Sequence, residues 1–183
     1  SIVMGSLIAA PFVFGSDYGT TGLIDIPTAR MQADATLVAT AAFDTNFDSY
    51  SLTYQATPWL EANFRYSGSF DVVASQKRYW DRNYGFKVRL SEETSYLPQV
   101  AVGVRDLIGT GVFGSEYLVA SKQMGRWDIT GGIAWGRLAG DGMFSNPLGY
   151  LDDRFDYRPP ATSDVANAGT VRNFYFRGEA GFF

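Results

Sequence analysis

Apolar and polar residues alternate along the chain from about residue 36 onward, in runs that each end at a turn. The stretch 50–66 shows two such runs joined at Pro58-Trp59: one face carries Tyr, Leu, Phe and Ala, and the other carries Ser, Thr, Gln, Glu, Asn and Arg. A period of two places successive side chains on opposite faces of a β-strand. No stretch shows a sustained helical period, so we expect an all-β protein with about eight strands.

Each predicted strand therefore has a polar face and an apolar face. The polar face is predicted to carry ten residues: Glu61, Asn63, Arg65, Lys87, Arg89, Gln99, Arg105, Glu116, Lys122 and Asp128. The apolar face is predicted to carry another ten: Leu60, Phe64, Phe86, Val88, Leu90, Val100, Val102, Val104, Ile129 and Ile133. Within 115–122 this assignment sets Glu116 and Lys122 opposite Tyr117 and Val119.

Two architectures contain such strands. In a soluble sandwich the apolar face packs on a second sheet, whereas in a membrane barrel it contacts lipid and the polar face lines the lumen. The predicted strands 49–57, 97–105 and 127–136 have the length of about nine to eleven residues that crosses a bilayer, short and long connections alternate, and aromatic residues cluster at strand ends. These features favour an antiparallel up-and-down transmembrane β-barrel whose strands occupy 36–183 with a long outer loop at 137–173.

The first 35 residues differ from the rest. Residues 1–16 contain no ionisable side chain, which is typical of the apolar core of a secretory signal peptide; a buried strand or apolar arm of the mature protein is the alternative. Residues 17–35 hold short runs bounded by Gly and Pro. They are interpreted either as a lead-in strand or as a small plug folded into the lumen, and both interpretations stay open.

The amino-acid composition excludes catalytic sites that depend on cysteine or histidine. The 183 residues include neither Cys nor His, so they hold no disulfide, no thiol nucleophile, no lipidated cysteine and no triad that depends on an imidazole base. A net charge of −4 gives no electrostatic basis for binding nucleic acid. The clustered acids at 92–93 and 152–156 are interpreted as solvated surface, because no regular spacing of ligands or acid–base pairs appears. We expect no enzyme activity, no cofactor and no metal site.

The long loop offers the other candidate binding groups. Four aromatic residues lie there among Asp, Asn and Arg: Phe144, Tyr150, Phe155 and Tyr157. Aromatic rings flanked by hydrogen-bonding groups suit the faces of sugars, so these four are candidates for contact with a glycan. The alternative is a loop that packs on itself.

Four stretches carry a family resemblance: DYGTTGLIDIPTARMQA at 17–33, YQATPWLEANFRY at 54–66, YLPQVAVGVRDLIGTGVFGSEYLVASK at 96–122 and WGRLAG at 135–140. They resemble the YjbH family of bacterial outer-membrane proteins, which are encoded with exopolysaccharide and capsule export loci. The resemblance implies an outer-membrane β-barrel that contacts lipid and assists polysaccharide secretion beside a separate export channel. It implies no catalytic residue. Family members are longer than this chain, so the resemblance also implies that its strands are the N-terminal part of a larger barrel. Some family members carry an N-terminal lipidated Cys.

Three functions follow as hypotheses. The first is a non-catalytic barrel in the bacterial outer membrane that assists secretion of an exopolysaccharide or capsule, with the polysaccharide and its export machinery as partners. The second is a scaffold subunit that pairs with a neighbouring subunit through an open strand edge and transports nothing through its own lumen. The third is a periplasmic sugar-binding β-sandwich.

Overall fold

The computed structural model describes residues 15–69, 79–108, 111–159 and 175–183. They form one antiparallel sheet in which each strand pairs with the next along the chain. The eight strands are β1 Leu37–Asp44, β2 Phe47–Thr57, β3 Leu60–Ser69, β4 Tyr79–Ser91, β5 Gln99–Ile108, β6 Ser115–Met124, β7 Trp127–Gly136 and β8 Ala180–Phe182. The expected all-β class and antiparallel order are confirmed. The sheet is open, because β1 and β8 do not pair with each other among the described residues.

The connections define two ends of the sheet. At one end, here called the turn end, the strands are joined by 58–59, 92–98 and 125–126, and Gly125 adopts a φ of 61° in the last of these turns. At the other end, the loop end, the connections are 45–46, 70–78, 109–114 and 137–179. The last connection contains three short 3₁₀ helices, Arg137–Ala139, Pro147–Tyr150 and Asp153–Phe155.

Burial on the sheet is reversed relative to a soluble sheet. In β2 the polar residues Ser51 and Thr53 are buried at 5% and 2% exposure, whereas Tyr50, Leu52 and Tyr54 are 44–47% exposed. Strand register extends this pattern across the sheet, because directly paired residues share a face. One row of the apolar face consists of Leu60, Val88, Val102, Leu118, Ile133 and Phe182.

A small apolar cluster also lies on the polar face of β5 to β7. It includes Ala101, Tyr117, Val119 and Ala134, all fully buried. Gly103 is opposite Tyr117 in the register, and a Cβ at Gly103 would lie 2.2 Å from the Cζ atom of the tyrosine ring. The glycine therefore makes room for the largest aromatic ring on this part of the face.

β6 differs from the sequence-based assignment of faces. Tyr117 pairs with Gly103 and Ser115 pairs with Arg105, so Tyr117 and Val119 share the polar face with Arg105. Glu116 and Lys122 consequently lie on the apolar face, where the sequence pattern had placed the opposite set. Their charge alone suggests the polar face for Glu116 and Lys122. Both residues lie near an end of the strand, however, where Arg158 and Glu93 from other segments pair with them.

Some expectations fall on parts of the chain that the structure does not describe. The expected apolar segment 1–16 lies outside the described residues except for Gly15 and Ser16, and so does the part of the long loop from residue 160 to 173. Strands are expected on both sides of the 137–173 loop, but after that loop only Ala180–Phe182 pairs as a strand within the described residues, and Phe176 has a φ of 58°. No helix in the described part of the chain is long and apolar enough to span a bilayer.

Candidate functional site

Residues 16–32, here called the inner segment, lie against the polar face of the sheet. The Ser49 hydroxyl on β2 donates to the carbonyl of Asp17 (3.0 Å). At the other end of the segment, the Ala29 N–H donates to Ser121 Oγ on β6 (2.9 Å), and Gln99 Nε2 on β5 donates to the Ala29 carbonyl (2.8 Å). The inner segment thus crosses the polar face from β2 to β6, and side chains of the strands satisfy its irregular backbone.

A buried ion pair anchors the middle of the inner segment. Lys87 Nζ lies 3.3 Å from Glu61 Oε2, and both side chains are buried. The ammonium group also donates to the carbonyls of Thr21 (3.1 Å) and Arg30 (2.8 Å). Glu61 accepts hydrogen bonds from the Thr21 N–H (3.0 Å) and from its hydroxyl. A buried pair is tolerated only when such additional bonds satisfy both charges, so the strands and the inner segment depend on each other here.

Tyr18 of the inner segment lies between two buried arginines of the sheet. The Arg65 guanidinium carbon lies 4.4 Å from the centre of the tyrosine ring, and that of Arg105 lies 4.3 Å from it. Guanidinium groups at this distance are attracted by the ring quadrupole, most strongly away from water. Arg65 also donates through Nε to Asn83 (2.9 Å), and Arg105 donates to the carbonyl of Asp25 (3.2 Å).

An ion-pair network closes the turn end. Arg30 contacts Asp128 (2.7 Å) and Glu93 (2.6 Å), and Lys122 contacts the other oxygen of Glu93 (2.8 Å). The hydrogen bond from Lys122, followed by those from Arg30 and the Gln123 N–H, lowers the pKa of Glu93 from 4.5 to about 2. Glu93 is therefore ionised at any physiological pH and links the inner segment to the end of β6.

At the loop end, a buried carboxylate on β6 joins the long connection to the apolar face. Arg158 donates to both carboxylate oxygens of Glu116 on β6 (2.7 and 3.0 Å), and the Phe176 N–H donates to Glu116 as well (2.8 Å). Trp135 packs edge-to-face on Phe176 (5.2 Å) and donates to Asn146 (3.0 Å). The loop thus covers this corner of the apolar face, which explains how a carboxylate can lie there.

The polar residues predicted from the sequence separate into three groups. Those in contact with the inner segment are Glu61, Arg65, Lys87, Gln99, Arg105 and Asp128. Two lie on the polar face with other partners: Asn63 donates to Thr53 (2.9 Å), and Arg89 pairs with Glu92 at the turn end (2.7 Å). Glu116 and Lys122 lie on the apolar face, where Arg158 and Glu93 neutralise them.

Nine of the ten predicted apolar-face residues share one face in the strand register, whereas Leu90 lies at the register shift between Arg89 and Ser91. Their exposure also differs. Leu90 and Ile129 are 58% and 54% exposed, whereas Val104 is only 5% exposed. Val104 pairs with Glu116, which pairs with Trp135, so this row runs into the corner that the loop covers. The expectation of lipid contact therefore does not suit Val104. The remaining members are half-buried: Leu60, Phe64, Phe86, Val88, Val100, Val102 and Ile133.

The four loop aromatics also divide. Phe144 packs against Phe182 with ring centres 4.7 Å apart. Phe155 is half-buried, and its carbonyl accepts from Asn146. Tyr150 and Tyr157 are 95% and 67% exposed. Only these two tyrosines present most of their surface to a ligand, whereas the two phenylalanines hold the loop together.

Sequence reasoning missed the residues that reach across the fold. Thr21, Arg30 and Tyr18 come from a segment without periodicity, so no pattern marked them as partners of the sheet. Arg158 lies in the long loop and was not connected to Glu116, 42 positions away. Arg30 did leave one signal: it is the first basic residue of the chain. Within residues 15–69, 79–108, 111–159 and 175–183, no group of three or more acidic side chains could hold a metal ion.

The family model described as exopolysaccharide biosynthesis protein YbjH (YjbH) matches residues 15–183. The chain is also 39% identical over 176 residues to a protein of Escherichia coli (strain K12) named uncharacterized lipoprotein YjbH. That match covers 92% of this chain and 25% of the relative, so the chain spans about a quarter of the relative's length. No solved structure matches.

Proposed function

Because the chain belongs to the YjbH family of exopolysaccharide biosynthesis proteins, we propose that it forms part of a bacterial outer-membrane β-barrel that assists secretion of an exopolysaccharide or capsule. The family resemblance read from the four sequence stretches is confirmed by the match over 15–183. In this proposal the chain is not catalytic. Its strands are embedded in lipid, and its loop end contacts the polymer.

The reversed burial of the sheet carries this proposal. Large apolar side chains are exposed on β2, β4 and β7, among them Leu52, Tyr84 and Ile129 at 46–54%. Contiguous apolar surface of this kind marks a contact with lipid or protein rather than with water. In the rival sandwich, the apolar face would be the buried one and charged groups such as Lys87 would face solvent. The observed burial has the opposite sense, which favours a sheet in lipid.

The inner segment covers the polar face, and this limits how the protein could assist secretion. Glu61, Lys87, Gln99 and Arg105 bond to the inner segment, so these groups are not available to a passing polymer. We therefore place the polysaccharide contacts at the loop end, where Tyr150 and Tyr157 are exposed. The inner segment acts as a plug in this account, and the polymer passes through a partner channel.

A scaffold role is the second candidate, and the open edge of the sheet favours it. β1 pairs with β2 alone within the described residues. A strand edge with unpaired N–H and C=O groups is costly in lipid, so β1 would be completed there by another strand of the whole protein or of a neighbouring subunit. In that role the chain builds a membrane assembly and contacts no polymer.

The test combines location with secretion. The full-length protein should fractionate with outer membranes, need detergent for extraction and migrate differently on gels when heated, and deletion of its gene should reduce secreted polysaccharide. Complementation by a variant with both Tyr150→Ala and Tyr157→Ala should restore the protein level but only part of the secreted polymer. Solubility in buffer would overturn the membrane assignment. Unchanged secretion after gene deletion would contradict the role in secretion and favour the scaffold role.

A further inference from the structure

A cavity of about 550 Å³ opens at the loop end, between the 111–114 turn, the end of β7 and residues 156–159 and 177–179. Its volume falls within the range of about 300–1,000 Å³ that small-molecule sites occupy. Six charged side chains of both signs line it: Arg137, Arg158, Arg177, Asp141, Asp156 and Glu179. None of the candidate residues predicted from the sequence, apart from Tyr157, belongs to this cavity.

Arg158 belongs to the frame of the cavity. Its guanidinium is held by the buried Glu116 carboxylate through two hydrogen bonds of 2.7 and 3.0 Å. It lies directly over glycines: a Cβ at Gly136 would be 2.8 Å from Arg158 Cζ, and one at Gly114 would be 3.0 Å from Nη2. Gly136 has a φ of 68°, which other residues rarely adopt. The Arg158 guanidinium thus occupies the space that side chains at Gly114 and Gly136 would fill, and the buried Glu116 carboxylate fixes it there.

The other five charged groups are available to a ligand. Arg137 packs on the Phe113 ring at 4.9 Å, and Arg177 acts on Asp152 only through space. Within the part of the chain that the structure describes, the side chains of Arg137, Arg177, Asp141, Asp156 and Glu179 make no ion pair or hydrogen bond. The cavity therefore offers two groups that only donate hydrogen bonds and three that only accept them.

The numbers of donor and acceptor groups in the cavity indicate the class of ligand. A phosphate or a polyanionic chain requires cations in excess, but here three carboxylates accompany the two free guanidiniums. A saccharide presents hydroxyl groups, each of which accepts from a guanidinium and donates to a carboxylate. Tyr157, which lines the cavity and is 67% exposed, adds an aromatic face for the apolar side of a sugar ring.

We propose that this cavity binds a short uncharged stretch of the secreted polysaccharide, between the guanidiniums of Arg137 and Arg177 and the carboxylates of Asp141, Asp156 and Glu179. The inference rests on the proposed function and adds to it the location of the polymer site and the neutral character of the sugar units bound there. Arg158 and Glu116 position the site and do not contact the ligand.

The test uses the full-length protein in detergent and oligosaccharides made by partial hydrolysis of the exopolysaccharide that the producing strain secretes, separated by anion exchange into neutral and acidic fractions. Saturation-transfer NMR should show binding of the neutral fraction. Because the contacts are hydrogen bonds rather than a net field, affinity should hold between about 0.05 and 0.5 M NaCl. Arg177→Gln and Asp141→Asn should each weaken binding about tenfold, whereas Arg126→Gln, an exposed arginine at the turn end, should not.

Heat-modifiable migration of each variant on gels serves as the control for folding. Binding of the neutral fraction that is equal in wild type, Arg177→Gln and Asp141→Asn would overturn the site. So would an absence of binding, or binding of the acidic fraction alone with an affinity that falls as salt rises. These results are distinguishable from a failure of the proposed function, since gene deletion would still reduce secreted polymer if only the cavity assignment were wrong.

Discussion

The buried ion pair between Lys87 and Glu61 gives the most quantitative prediction. Lys87→Met removes an ammonium group that lies 3.3 Å from Glu61 and donates to the carbonyls of Thr21 and Arg30. Both side chains are buried, so the substitution leaves an uncompensated carboxylate, which typically costs about 3–5 kcal/mol. Glu61 keeps its two hydrogen bonds from Thr21. We therefore expect a loss in the free energy of unfolding of about 3 kcal/mol, at the lower end of that range.

Urea unfolding in lipid vesicles, followed by tryptophan fluorescence, measures this loss. Adding Glu61→Gln to Lys87→Met removes the stranded charge, so the double variant should be less destabilised than the sum of the single variants, with a coupling of about 1–3 kcal/mol. Trypsin should also cleave faster after Arg30, because the inner segment is released. Arg126→Met at the exposed turn end is the control and should stay within about 0.5 kcal/mol of wild type. A Lys87→Met loss below about 1 kcal/mol, with additive single variants, would refute the anchoring role.

Three further predictions concern the apolar face, the turn end and the polar-face packing. Val102→Lys should cost about 2–4 kcal/mol in vesicles; a change below about 0.5 kcal/mol, typical of a solvated surface position, would contradict lipid contact. Lys122 and Arg30 lower the pKa of Glu93 from 4.5 to about 2, so the stability gained from its ionised form is complete above pH 4.5 and is lost as the pH falls toward 2. The difference in Tm between wild type and Glu93→Gln should shrink over that interval, and a difference independent of pH would count against the network. Gly103→Ala should cost about 1–3 kcal/mol by overpacking Tyr117, 2.2 Å from the new Cβ; an unchanged Tm would show that the ring can move aside.

The strands and most of their faces could be predicted from the sequence because the period of two is a local property. Leu60, Val88 and Val102 were assigned to one face from their spacing alone, and the register aligns them in one row. Burial could not be assigned in the same way. Alternation is identical in a sandwich and in a membrane sheet, so only the exposure of Leu52 beside the burial of Ser51 shows which face is covered.

The remaining features depend on contacts between distant parts of the chain. Glu116 was assigned to the polar face because it is charged, yet Arg158, 42 positions away, neutralises it on the apolar face. The inner segment has no periodicity, and the hydrogen bond from Ala29 to Ser121 spans 92 positions. The cavity at the loop end joins residues from 111 to 179. No local sequence pattern shows that these turns lie next to each other, because their proximity follows only from the order of the strands in the sheet.

Spin labelling tests the proposal that the apolar face contacts lipid while the inner segment shields the polar face. The chain contains no Cys, so single cysteines in β2 at Tyr50, Leu52 and Tyr54, and at Ser51 and Thr53 between them, label unique sites in vesicle-embedded protein. Labels at the first three positions should collide with dissolved oxygen and little with a water-soluble nickel chelate, and labels at the other two should collide with neither. Strong collision of the chelate with the label at Leu52 would contradict the proposal.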